Sequence, residues 1–100
     1  MSRFMTRTVG APSGEVWEAV LDAASEIGFE APPATRRSGE VRLRGPLNRT
    51  GRSPTLAVSV TDNGLGGSTL HVSWDDRFPA RVTLHRAANR LCQRTRHLIG

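Results

Sequence analysis

Ser13-Gly14-Glu15-Val16-Trp17-Glu18-Ala19-Val20-Leu21-Asp22-Ala23-Ala24-Ser25-Glu26-Ile27-Gly28-Phe29 is the stretch whose reading decides the fold. Val16, Trp17, Val20, Leu21, Ala24 and Ile27 recur at the spacing that gathers side chains on one side of an α-helix. Glu15, Glu18, Asp22 and Glu26 gather on the other. Ser13 is placed to accept from the free N–H groups of the first turn, and Gly28 to adopt the left-handed conformation that ends a helix. One side of this helix needs a covering layer, and the other is acidic throughout.

The covering layer is written on both flanks. Arg3 to Val9 alternates as a strand, with Phe4, Thr6 and Thr8 on one side and Met5, Arg7 and Val9 on the other; the residues leave open which side is buried. Gly10-Ala11-Pro12 breaks it ahead of the helix, and Glu30-Ala31-Pro32-Pro33 forms a stiff connector behind. A second strand runs from Gly39 to Arg44, with Val41 and Leu43 opposite Arg42 and Arg44. Gly45 to Pro54, with Arg49 and Arg52, reads as a long exposed hairpin loop. Thr55 to Asp62 is a third strand, Asp62 to Gly67 a turn, and Ser68 to Asp75 a fourth strand. A second helix is expected from about Pro79, where Leu84, Ala88, Leu91, Thr95 and Leu98 form an apolar seam opposite Arg86, Arg90 and His97, with Arg94 and Arg96 on the flanks. Its start is open, because Arg81 to His85 also alternates like a strand.

The order β-α-β-β-β-α gives a single domain over residues 1–100, of the α+β class: a two-layer sandwich with an antiparallel sheet and two helices on one face. The three consecutive strands form a meander, and the first strand pairs at an edge or beside the last. Trp17 and Trp74 belong at the helix–sheet interface as core anchors.

The net charge is +5, and all fourteen basic residues are arginine. Residues 11–30 hold five acids and no arginine, residues 36–52 six arginines and one acid, and residues 77–100 six arginines and no acid. A solvated surface does not require such segregation. The lone Cys92 excludes an intrachain disulfide. The opening residues do not resemble a signal peptide, and no apolar run reaches the ~20 residues of a membrane span, so a cytoplasmic setting is expected.

Catalysis is not expected. Asp75 and Asp76 are adjacent and suit capping; His71, His85 and His97 form no metal-ligand spacing; the glycines at 64, 66 and 67 precede a strand rather than a helix. No cofactor or metal is implied. The remaining signal is charge, which marks Arg42, Arg44, Arg49 and Arg52 on the sheet and loop, and Arg86, Arg90 and Arg94 on the last helix, as the surfaces of a binding or assembly module. A protein partner or self-association is expected, with nucleic acid as an alternative weakened by the lack of stacking aromatics beside Ser59, Thr61, Thr69, His71 and Ser73.

The strand followed by Val9-Gly10-Ala11-Pro12-Ser13-Gly14-Glu15-Val16-Trp17-Glu18-Ala19-Val20 resembles the opening of the START-like ligand-binding superfamily. That resemblance implies a second function: an apolar ligand held between helices and sheet, in a pocket lined by Trp17, Leu21, Trp74 and Leu91. The superfamily wraps about seven strands round its terminal helix, whereas four are legible here.

Overall fold

Hydrophobic alternation and helical periodicity resolve into six elements in the computed structural model, which describes residues 2–31, 40–45, 54–75 and 81–99. They are β1 (Ser2–Val9), α1 (Ser13–Glu26), β2 (Glu40–Arg44), β3 (Thr55–Asp62), β4 (Ser68–Asp75) and α2 (Arg81–Ile99). The sheet has the order β1-β4-β3-β2, with every neighbour antiparallel. The first strand therefore lies at the edge beside the last, Met5 opposite Val72 and Val9 opposite Ser68. Residues 81–85 are helical. Arg49, Arg52, Asp76 and the prolines at 32 and 33 lie outside the described residues.

Each strand buries alternate side chains. Val41 and Leu43, then Leu56, Val58 and Val60, then Leu70, Val72 and Trp74 face the helices, while their neighbours face outward. β1 buries Met5 and Val9 and exposes Phe4, Thr6 and Thr8. Arg7 shares the inner side but is only half-buried, its guanidinium Nη1 donating to the Thr6 carbonyl at 2.8 Å. A long cationic stem at a sheet margin covers apolar surface while its head stays wet.

α1 buries Val16, Trp17, Ala19, Val20, Ala23 and Ala24. The expected apolar face is thus rotated: Leu21 and Ile27 are half-buried, and the small Ala19 and Ala23 take the central positions. Alanines let the helix approach its neighbours closely, and the larger side chains then pack from the margin. The start also differs from expectation. Pro12, not Ser13, is the N-cap residue, with φ −60° and ψ 152°, no side-chain cap is made, and Val16 N–H donates to the Pro12 carbonyl. Proline's fixed φ sets the chain up for helix entry, leaving Ser13 already inside the first turn.

The other end closes as anticipated. Gly28 has φ +85°, its N–H donates to the Ser25 carbonyl, and Phe29 N–H donates to that of Ala24 at 2.8 Å, the paired bonds of a Schellman motif. The motif turns Phe29 back into the core, and Glu30 then exchanges two backbone hydrogen bonds with Arg44, extending the sheet beyond β2 by a single bridge. Along α2, Leu84, Ala88, Leu91 and Thr95 are buried as the seam requires, and Cys92 joins them against Met5. Leu98 is instead 41% exposed, because the seam drifts round the helix and Ile99 packs against the core in its place.

Candidate functional site: the charged helix layer

Both helices cover the same face of the sheet and pack against each other. Thr8, Val9 and Gly10, which lead into α1, line a cleft of about 570 Å³ with Gln93, Arg96, His97 and Ile99 of α2. His85, near the other end of α2, stands edge-on to Trp74 near the end of β4. The start of α1 and the end of α2 therefore lie at one end of the sheet, and the helices run in opposite directions.

Their apolar seams face inward, so their charged sides form the outer surface. On α1, Glu15, Glu18, Asp22 and Glu26 are all exposed. On α2, Arg86, Arg90, Arg96 and His97 are exposed and Arg94 is half-buried. The two stripes meet where Arg94 donates from Nε to Glu26 Oε2 at 2.7 Å and from Nη2 to Oε1 at 3.2 Å. This fork-on-carboxylate geometry holds the Glu26 carboxyl below its usual range, chiefly through the hydrogen bond, and raises the Arg94 guanidinium for the same reason. Arg94 is thereby engaged within the chain, and its stripe is represented outward by Arg86, Arg90 and Arg96.

The other arginine group stands on the far side of the sheet. Arg42 and Arg44 are exposed there with Glu40, whose Oε1 lies 3.9 Å from Arg42 Nε. Arg42, Thr55, Ala57, Ser73, Trp74 and Asp75 border a shallow trough of about 350 Å³. Glu40 and Asp75 offset Arg42 and Arg44, so this face is electrically balanced among the described residues. The expectation that it lacks a stacking aromatic is corrected: Phe4 lies on it, 69% exposed, stacked on His71 at 5.4 Å, with Thr6 Oγ1 3.0 Å from His71 Nδ1. Sequence reasoning missed Phe4 because β1 carries large apolar residues on both sides, leaving its parity undecided. The sheet separates Arg42 and Arg44 from Arg86 and Arg90, so the two groups form two surfaces.

The residues expected around an apolar ligand are mostly core. Trp17, Trp74 and Leu91 belong to one hydrophobic cluster, while Leu21 is half-buried at its margin. Thr95 is fully buried, and its Oγ1 finds no hydrogen-bond partner among the described residues. Burial pushes the Cys92 thiol up, against the opposing influence of Arg7 and Arg96. No cluster of three or more metal-ligating side chains occurs among the described residues, and no described helix is long and apolar enough to cross a membrane.

No family model matches the sequence, and no curated protein does. Among solved structures, a conserved protein of unknown function from Enterococcus faecalis superposes with a TM-score of 0.58 over 98% of this chain and 70% of that chain, at 9% identity. That likeness concerns the fold alone.

Proposed function

We propose that this chain is a binding or assembly module without catalysis, and that its working surface is the outer side of the helix layer. The Arg94–Glu26 pair carries the reading, because it sets the acidic side of α1 and the basic side of α2 next to each other on one surface. A partner that fits carries both signs in register. This favours a protein over a nucleic acid: a phosphate chain along α2 would run beside the carboxylates of α1, and the opposite sheet face offers no net positive charge among its described residues. Exposed pairs contribute orientation and encounter rate more than affinity, so the interaction is fast and salt-sensitive.

The test is a backbone-amide NMR titration at low salt, with a poly-glutamate peptide and a poly-arginine peptide added separately. Shifts confined to α2 for the first and to α1 for the second, both vanishing in high salt, are expected. Shifts concentrated on β2, or insensitive to salt, overturn the proposal.

A second reading is a reduced START-like domain holding a small apolar ligand. Its one support is Thr95 Oγ1, a buried hydroxyl that a ligand's polar atom could engage. Hydrophobic ligands that raise the melting temperature of the wild type but not of Thr95→Val would establish it.

A further inference from the structure

We propose that the cleft between the exit of β1 and the last turns of α2 binds a small phosphate monoester, with the phosphate on Arg96 and His97 and a hydroxyl-bearing body on Gln93 and the facing backbone of residues 8–10. The inference goes beyond the helix-layer reading and does not depend on it.

Local geometry gathers the donors. Gln93, Arg96 and His97 stand at positions i, i+3 and i+4 of α2, which makes them neighbours on one patch of the helix surface. Opposite them the chain leaves β1 through Thr8, Val9 and Gly10, and the space between is about 570 Å³, within the ~300–1,000 Å³ of small-molecule sites. β1 is an edge strand, so alternate backbone N–H and C=O groups along it have no strand partner and can meet a ligand's hydroxyls. Among the described residues, the Gln93 carboxamide and the Arg96 guanidinium make no hydrogen bond or ion pair, and no described carboxylate lines the cleft. Glu26, close enough to His97 to feel its charge, has both carboxylate oxygens on Arg94.

A second positive charge stands beside the first. β1 and α2 both run from the Trp74 end of the sheet toward Val9, and Cys92 Sγ lies 3.7 Å from Met5 Sδ. Arg7 is two residues beyond Met5 on the same side of β1, a step of about 6.6 Å, and Arg96 is one turn beyond Cys92, a step of about 6 Å. The two guanidinium groups are thus brought to one flank of α2, in keeping with the influence both exert on the Cys92 thiol. Arg7 donates to the Thr6 carbonyl rather than to an acid, so neither charge is neutralised among the described residues. A cleft walled by one sign of charge concentrates the opposite ion. A carboxylate would answer the Arg96 fork alone. A phosphate monoester brings roughly two negative charges and three acceptor oxygens, enough for Arg96, for the ring N–H that His97 offers in either protonation state, and for the field of Arg7.

The experiment is a backbone-amide NMR titration of the full chain at constant ionic strength in phosphate-free buffer, with glycerol 3-phosphate, inorganic phosphate, glycerate and glycerol as separate probes. Glycerol 3-phosphate is expected to give saturable shifts at residues 8–10 and 93–99, and glycerol none. Inorganic phosphate, which lacks the body that meets Gln93, and glycerate, which lacks the second charge, are each expected to bind about tenfold more weakly. Three variants, their folding checked by circular dichroism, separate a built site from a diffuse positive field. Arg96→Gln should weaken glycerol 3-phosphate about tenfold or more, and Gln93→Ala several-fold although it changes no charge; glutamine and alanine are both good helix formers. Arg86→Ala/Arg90→Ala, which removes more charge from the same helix outside the cleft, should leave the affinity within about twofold. No saturable shift with glycerol 3-phosphate overturns the proposal, as do shifts spread along the whole of α2 or an undiminished affinity in Gln93→Ala. Inorganic phosphate or glycerate binding as tightly as glycerol 3-phosphate overturns the assignment of a phosphate monoester.

Discussion

Gly45→Ala should unsettle the packing that ties the end of α1 to the sheet. Gly45 is buried just beyond β2, and its N–H donates to the Pro54 carbonyl at 2.8 Å. A methyl group built there would lie 2.9 Å from Phe29 Cε2, 2.9 Å from Phe29 Cζ and 2.9 Å from Pro54 Cγ. Ordinary carbon–carbon contacts sit at about 3.5–4.0 Å, so the overlap is at least half an ångström against two rings. Neither ring yields cheaply. Phe29 is 7% exposed and is held by the Schellman motif at Gly28, and Pro54 is fixed by its own ring and by the hydrogen bond from Gly45.

Overpacking of this kind costs about 1–3 kcal/mol, and for a domain of this size each kcal/mol lowers the melting temperature by about 4–8 °C. The assay is thermal and urea unfolding of wild type, Gly45→Ala, Phe29→Leu and the double variant. Phe29→Leu alone destabilises by removing core volume, yet it also opens the space the methyl needs. The double variant should therefore be more stable than the sum of the single effects requires, by about 1 kcal/mol. A Gly45→Ala protein that melts with wild type, or a strictly additive double variant, would refute the contact.

Further outcomes follow from the same structure. Thr95→Val removes a buried hydroxyl that lacks a partner among the described residues while keeping the side-chain shape, and should raise stability by about 1 kcal/mol in urea unfolding; a loss of that size would mean the hydroxyl is satisfied. Leu56→Ala, at a fully buried position opposite both Leu43 and Trp74, should cost about 2–5 kcal/mol. The Arg94–Glu26 pair gives a pH signature. A carboxyl held below its ordinary range when folded contributes stability above its unfolded pKa and loses it as pH falls through the folded value. The stability difference between wild type and Arg94→Ala should accordingly be present at neutral pH, fade below the ordinary glutamate range and shrink with salt; a difference unchanged down to pH 2 would contradict the pairing. Cys92, 2% exposed with its thiol pushed up by burial, should react with a thiol reagent only as fast as the chain opens.

The layer architecture was legible because its signals are periodic. Val58 and Val60 alternate with polar neighbours, and Glu18 and Asp22 fall opposite Val16 and Val20, so the buried side of these elements followed from spacing alone. What escaped was decided by tertiary packing. β1 has Phe4 on one parity and Met5 and Val9 on the other, and only the pairing with β4 assigns the inner side. Leu21 and Ile27 outrank Ala19 and Ala23 in hydrophobicity, yet close helix approach favours the small residues. Ser13 has the chemistry of a cap, but Pro12 already sets the entry geometry. On the candidate site, sequence located the arginines and the acids, while their separation by the sheet, and the intrachain engagement of Arg94, required three dimensions.

The central claim is that the arginines of α2, rather than those of β2, form the working surface. It is tested most directly by the low-salt affinity of two variants for the same poly-glutamate peptide, Arg86→Ala/Arg90→Ala and Arg42→Ala/Arg44→Ala. The α2 variant should bind about tenfold more weakly, as two lost exposed charge contacts imply, and the β2 variant should match wild type. Weakening confined to the β2 variant would contradict the account.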